Sequence, residues 1–201
     1  MKRECEKVKV HSKNMLHVEQ VTYLGEILSA DAKNTKNVQA RVSKGMGLIN
    51  EILYILENMA LGPFYFSIAI MLRDSILING MIYNIEAWSN LTKEDIEELS
   101  KIDRLYLSKI FNVPRSKPKE SFYLENGIME IGMILKNRRL NYFKDIMSRK
   151  KKEMLFNFIT VQWNKPSKGV WTEFVTEDFK EIDIDNPFEL VEQKSKMQLK
   201  N

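Results

Sequence analysis

Catalytic and metal-binding chemistry has little to draw on in this sequence. One cysteine, Cys5, among 201 residues excludes a disulfide framework and a multi-cysteine metal site. Two histidines, His11 and His17, stand six apart, share no face of a helix and match no zinc spacing. Cys5 with His11 lacks a third group to orient a thiol–base pair. Gly-x-Gly-x-x-Gly, Gly-Lys-Ser/Thr and Gly-x-Ser-x-Gly are all missing. So is any adjacent Asp-Asp pair of the kind that holds two metal ions for phosphoryl chemistry. The residues therefore supply no active site, no metal site and no cofactor site.

Long uncharged runs are also scarce. The most apolar stretch, Met59 to Trp88, is broken by Arg73-Asp74, and the runs on either side fall short of the roughly 20 residues a spanning helix needs. It reads as a buried core helix. Met1 to Lys7 is charged and lacks the apolar core of a signal peptide. With the lone cysteine, this places the chain in a reducing intracellular compartment, nucleus or cytoplasm.

What the chain does have is apolar content enough for a core, at 44% hydrophobic and 29% charged residues, and an uneven distribution of charge. Residues 173 to 192 hold eight acids against Lys180 alone. The net charge of +4 therefore hides a body that is more basic, at +8 over residues 1 to 172. Its densest positive segment sets Lys136, Arg138, Arg139, Lys144, Arg149, Lys150, Lys151 and Lys152 against Asp145 alone, with Tyr142, Phe143, Phe156, Phe158 and Trp163 nearby. Phosphate neutralisation beside aromatic surface is the chemistry of nucleic-acid binding. A solvated helix face, or a helical module for a protein partner with cations for solubility, has the same composition.

Periodicity predicts a mainly α fold with a short N-terminal β-hairpin. Val18 to Leu28 alternates around Gly25 and reads as a strand pair. Val38, Val42, Met46, Ile49, Leu53 and Leu56 mark a helix of about 35 to 58, and Pro63 suits the first turn of the next. That second helix is apolar on every face, the pattern of a central, buried element. Thr92 with Asp95 resembles a capping box ahead of a third helix ending at Pro114. A helix of about 128 to 149 directs Ile131, Leu135 and Phe143 inward, with Arg138, Arg139 and Lys144 at other positions. Asn164 to Gly169 reads as a linker, and an acidic helix of about 171 to 181 follows.

Several segments, in this order and spacing, resemble the C-terminal half of reverse transcriptases of non-LTR (LINE-like) retrotransposons. They are Lys7-Val8-Lys9, Val21-Thr22-Tyr23-Leu24-Gly25-Glu26-Ile27-Leu28, Asn34 to Val38, Ile82-Tyr83-Asn84-Ile85-Glu86-Ala87-Trp88, Leu105 to Pro114 and Lys165-Pro166-Ser167-Lys168-Gly169-Val170-Trp171. The resemblance implies a palm-end hairpin over 1–30 with Tyr23, Leu24 and Gly25 as primer-grip residues. A three-helix thumb over 31–114, basic post-thumb helices over 115–163, and a linker with an acidic tail over 164–201 would follow. It also implies an RNA/DNA template–primer duplex as partner, with Arg138, Arg139, Lys144, Lys150, Lys151 and Lys152 as phosphate contacts. The family's fingers, the rest of its palm and its magnesium-binding aromatic-Ala-Asp-Asp motif have no counterpart here. The expectation is thus a non-catalytic fragment of an RNA-directed DNA polymerase, whose hairpin, lacking the palm, is open to pairing with another chain. Val8 stands where the family has Thr, and Val170 where it usually has Asp.

Overall fold

A computed structural model describes residues 9–10, 13–14, 19–23, 26–30, 33–88, 91–114, 123–149, 153–165 and 170–184. The fold is mainly helical with short antiparallel hairpins at the N-terminal end, as the periodicity predicts. β1 (Lys9–Val10) pairs with β2 (Lys13–Asn14), a pair the sequence pattern did not announce. β3 (Gln20–Tyr23) pairs with β4 (Glu26–Ser29), with Val21 opposite Leu28 and Tyr23 opposite Glu26.

This second hairpin is tied to α1 (Thr35–Asn58) by side chains of the first helical turns. The Asn37 carboxamide accepts from the Ile27 amide at 2.6 Å and donates to the Ile27 carbonyl at 2.7 Å, and Lys36 donates to Gln20 at 2.7 Å. Arg41 pairs with Glu26 and lies over the Trp88 ring at 5.8 Å. Asn37 thus satisfies backbone groups of Ile27 that have no third strand to bond, while Lys36 and Arg41 hold strand side chains. The outer face of the hairpin leaves Val21, Tyr23 and Leu28 exposed.

After α1, Pro63 sits in a 3-10 turn, Gly62–Phe64, that leads into α2 (Tyr65–Leu72). The helix widens to a π turn over Arg73–Ile78 and closes with α3 (Asn79–Met81). The expectation of a helix buried on every face is corrected. Only 28% of the most apolar 18-residue window in Gly62–Met81 is buried, and Phe64, Phe66 and Met71 stand in solvent. By length and mean hydropathy alone this stretch is able to cross a membrane. In the fold it packs one side on α1 and α4 (Lys93–Phe111), and its arginine is buried along with Ala69, Leu77, Ile78 and Met81: Arg73 is 1% exposed. The capping box forms, with Thr92 Oγ1 accepting from the Asp95 amide at 3.1 Å and Asp95 accepting from the Thr92 amide at 3.0 Å. Asn112, at φ 51°, ends α4 in the left-handed conformation that asparagine tolerates.

Among the described residues three further long helices follow: α5 (Ile131–Ser148), α6 (Met154–Asn164) and α7 (Trp171–Lys180). Two apolar cores result. The larger joins α1 to α4 and the start of α5, through Ile49, Ile52, Leu77, Met81, Leu99, Tyr106 and Leu135. The smaller gathers Phe143, Ile146, Ile159, Trp171, Val175 and Phe179 from α5, α6 and α7. One helix, α5, serves both, so the division falls within it, between Leu135 and Phe143. Of the linker read over Asn164 to Gly169, Asn164 closes α6 and residues 166–169 lie outside the described residues.

Candidate nucleic-acid interface

The basic segment does not reach solvent as a block. Along α5 the buried positions are Ile131, Leu135, Arg139, Phe143 and Ile146, and Arg139 stands four residues from both Leu135 and Phe143. It belongs to the inward stripe, which corrects its expected place on the polar face. The helical spacing carried that signal, masked by the charge of the side chain. At 6% exposure Arg139 faces Asp178 of α7, with Nη1 to Oδ2 at 3.4 Å, and packs under the Phe174 ring at 5.5 Å. The pair is close enough for attraction but not hydrogen-bonded. Burial raises the Asp178 carboxyl and lowers the Arg139 guanidinium, and in each case outweighs the attraction of the other.

Lys136 pairs with Glu181, and Arg149 with Asp145 at 2.7 Å and Glu153 at 3.8 Å. The acidic helix has therefore folded back on the basic one, and two charge blocks that are 35 to 45 residues apart in sequence partly neutralise each other. Lys144 is exposed. Lys150, Lys151 and Lys152 lie outside the described residues, as do Leu24 and Gly25 of the grip-like segment, Cys5, His11 and His17. Tyr23 is exposed at the end of β3.

Arg138 takes a different course from its neighbour. Its guanidinium donates to the Asn79 side-chain oxygen and reaches the Ile82 carbonyl at 3.5 Å, which lays it against the end of α3. The Lys44 stem of α1 also runs alongside α3, at Gly80: a Cβ built there would lie 3.8 Å from Lys44 Cε. Lys44 and Arg138, 94 residues apart, thus each approach the Asn79-Gly80 step of α3, and the exposed Tyr83 ring follows it in the chain. Sequence reasoning missed Lys44, because a single lysine on a solvated helix face carries no signal until the fold sets it against α3, the helix that Arg138 also contacts.

Two other features have chemical character. Arg73 donates to both oxygens of Asp103, each at 2.7 Å, to Asp74 at 2.6 Å and to the Met129 carbonyl at 2.9 Å, while Tyr123 donates to Asp103 at 2.9 Å. Burial pulls the Arg73 guanidinium down, yet the two bonds and the charge of Asp103 outweigh it and hold Arg73 above its ordinary value. Burial holds the Tyr123 and Tyr106 hydroxyls well above theirs, so both remain protonated. This network is satisfied, and its Arg73, Asp103 and Tyr123 side chains are buried while that of Asp74 is exposed. The second feature is an apolar cleft of about 300 Å³ between α5, α6 and α7, lined by Tyr142, Ile146, Leu155, Phe158 and Trp171, with the Gln162 side chain at its wall. Among the described residues no group of three His, Cys, Asp or Glu is placed to hold a metal ion. No protein-family model, characterised protein or solved structure matches the chain.

Proposed function

We propose that the chain binds the backbone of an RNA/DNA template–primer duplex as a non-catalytic, thumb-like region of the reverse-transcriptase kind. The observation that carries the reading is the approach of Lys44 and Arg138, from distant helices, to the Asn79-Gly80 step of α3, with Lys144 exposed on α5 and Tyr83 exposed just after α3. Two cations fixed on packed helices are a better phosphate clamp than lysines on free chain, since less side-chain freedom is lost on binding. The resemblance to non-LTR reverse transcriptases supplies the ligand class. No reaction step falls to residues of this chain, and magnesium would serve only the parent polymerase.

Fluorescence anisotropy on a labelled RNA–DNA hybrid over a salt series tests this. With two or three phosphates neutralised, log affinity should fall against log salt with a slope of about −2 to −3. Lys44→Ala and Arg138→Ala should weaken binding alike for all sequences and each flatten the slope by about 1, while Lys101→Ala, whose ammonium is engaged by Glu98, should leave it unchanged. A salt-independent affinity, or one indifferent to both substitutions, defeats the reading. That result would favour a helical protein-interaction module without a nucleic-acid role, to which the exposed Phe64, Phe66 and Met71 of the second helical stretch are suited.

A further inference from the structure

No charged side chain lines the cleft between α5, α6 and α7, in a chain of which 29% is charged. Its walls are aromatic and aliphatic: Tyr142 and Ile146 of α5, Leu155 and Phe158 of α6, and Trp171 of α7. The rings of Tyr142 and Trp171 meet edge to face, 5.7 Å apart and at 80°. Trp171 is fixed there by the bond from its indole nitrogen to the Glu86 carbonyl at 2.7 Å. Phe158 is 56% exposed, so much of its ring is left to solvent. At about 300 Å³ the cleft stands at the small end of ligand sites, with room for one ring system and little more.

The one amide in this wall gives the site its polarity. Gln162 lines the cleft, and its side-chain oxygen is buried without a hydrogen-bond partner. A buried acceptor left unpaired destabilises the fold unless something satisfies it. The last torsion of a glutamine is broad and roughly twofold, so turning the oxygen towards the cleft costs little. There it would accept from a ligand N–H, while the adjacent nitrogen donates to a ligand acceptor.

A carboxylate, phosphate or ammonium group held in this cleft would lose its water and meet no opposite charge. The walls fit instead a flat, neutral ring with a donor and an acceptor side by side on one edge. An amino-purine has all of these: its faces stack on aromatic side chains, and an adenine edge pairs with a glutamine carboxamide through two bonds. In a duplex the faces are already stacked, so the base that enters is an unpaired one.

We infer that the cleft binds an unpaired adenine-type base, supplied by a free nucleoside or by a single strand. The site uses none of Lys44, Arg138 or Lys144, so it stands or falls apart from the duplex reading.

Adenosine titrated into the full chain to about 10 mM, followed by the methyl signals of Ile146 and Leu155 in proton–carbon correlation spectra, tests this. Ring currents from the base should move both signals saturably, with a Kd of about 1 mM, the scale of one base held by stacking and one amide. Purine riboside, which lacks the amino group, should bind at least about fivefold more weakly. Gln162→Leu should abolish that difference and leave the melting temperature unchanged or raised, because it removes the stranded acceptor. Phe158→Ala should weaken both ligands by about fivefold or more. A short single-stranded oligoadenylate that moves the same signals assigns the site to the unpaired base of a strand, and one that leaves them in place assigns it to a free nucleoside. A fully paired RNA–DNA hybrid should not displace adenosine. The inference is overturned by signals that do not shift saturably, by equal affinity for the two nucleosides, by a preference that survives Gln162→Leu, or by displacement of adenosine by the paired hybrid. Should Gln162→Leu disturb α6, the two nucleosides compared on the parent and on Phe158→Ala decide alone.

Discussion

Two buried arginine–aspartate pairs have opposite characters, and their geometry decides which. Arg73 and Asp103 share two bonds of 2.7 Å, and the remaining capacity of both is taken up by Asp74, Met129 and Tyr123. Asp103→Ala should therefore cost about 3–5 kcal/mol in urea denaturation, since it strands a buried guanidinium. Arg139 and Asp178 are 3.4 Å apart without a hydrogen bond, and both are shifted toward neutrality. Replacing both at once, Arg139→Met with Asp178→Leu, should leave stability unchanged or raise it by about 1–4 kcal/mol. The same shift gives a pH dependence. Asp178 holds its proton more tightly in the fold than in the unfolded chain, so its contribution is complete below the ordinary carboxylate range and is lost as pH rises through its raised value. Asp178→Asn removes that loss. The stability of the variant relative to the parent, read from urea midpoints, should therefore increase from about pH 3 to pH 6, and a decrease would contradict the burial argument.

At the scale of elements, α1 contains two glycines two residues apart with opposite environments. A Cβ at Gly45 would stand 2.4 Å from Met81 Sδ and 2.9 Å from Ile102 Cγ2, so this glycine is where α3 and α4 approach the α1 backbone. At Gly47 nothing lies within 4 Å. Gly45→Ala should destabilise by about 1–3 kcal/mol through overpacking, although the flexible Met81 side chain absorbs part of it. Gly47→Ala should stabilise by about 0.5–1 kcal/mol through backbone entropy alone. In a domain of this size the two melting temperatures should move apart by several degrees, at about 2–4 °C per kcal/mol. The ends of α1 and the Thr92-Asp95 cap were legible in the sequence because capping and apolar period are local. The π turn at Arg73–Ile78 was not, since it is stabilised by a partner 30 residues away. Arg139 was misplaced for the same reason: only contact with Asp178 explains a cation on an apolar stripe.

The whole molecule is two cores on one shared helix, closed by a bond that no local pattern announces. Trp171 Nε1 donates to the Glu86 carbonyl at 2.7 Å, 85 residues back in the chain, and so fastens α7 to the helical body beside Trp88. Trp171→Phe keeps most of the ring and loses that bond, at a cost of about 1–3 kcal/mol. Hydrogen exchange should show the consequence unevenly: amides of α6 and α7 lose protection, while those near Ile49, Ile78 and Leu99 do not. Equal loss everywhere would mean that both cores unfold as one unit.

By itself the sequence determined the helical class, the hairpin, the ends of most helices and the existence of separate basic and acidic blocks. All of these follow from spacing and charge within a few residues. Only the tertiary structure decided what those charges do. It brought the acidic helix onto the basic one, buried Arg139 and Arg73, and set Lys44 and Arg138 each against α3, because ion pairing and burial depend on distances between residues that the chain order keeps far apart.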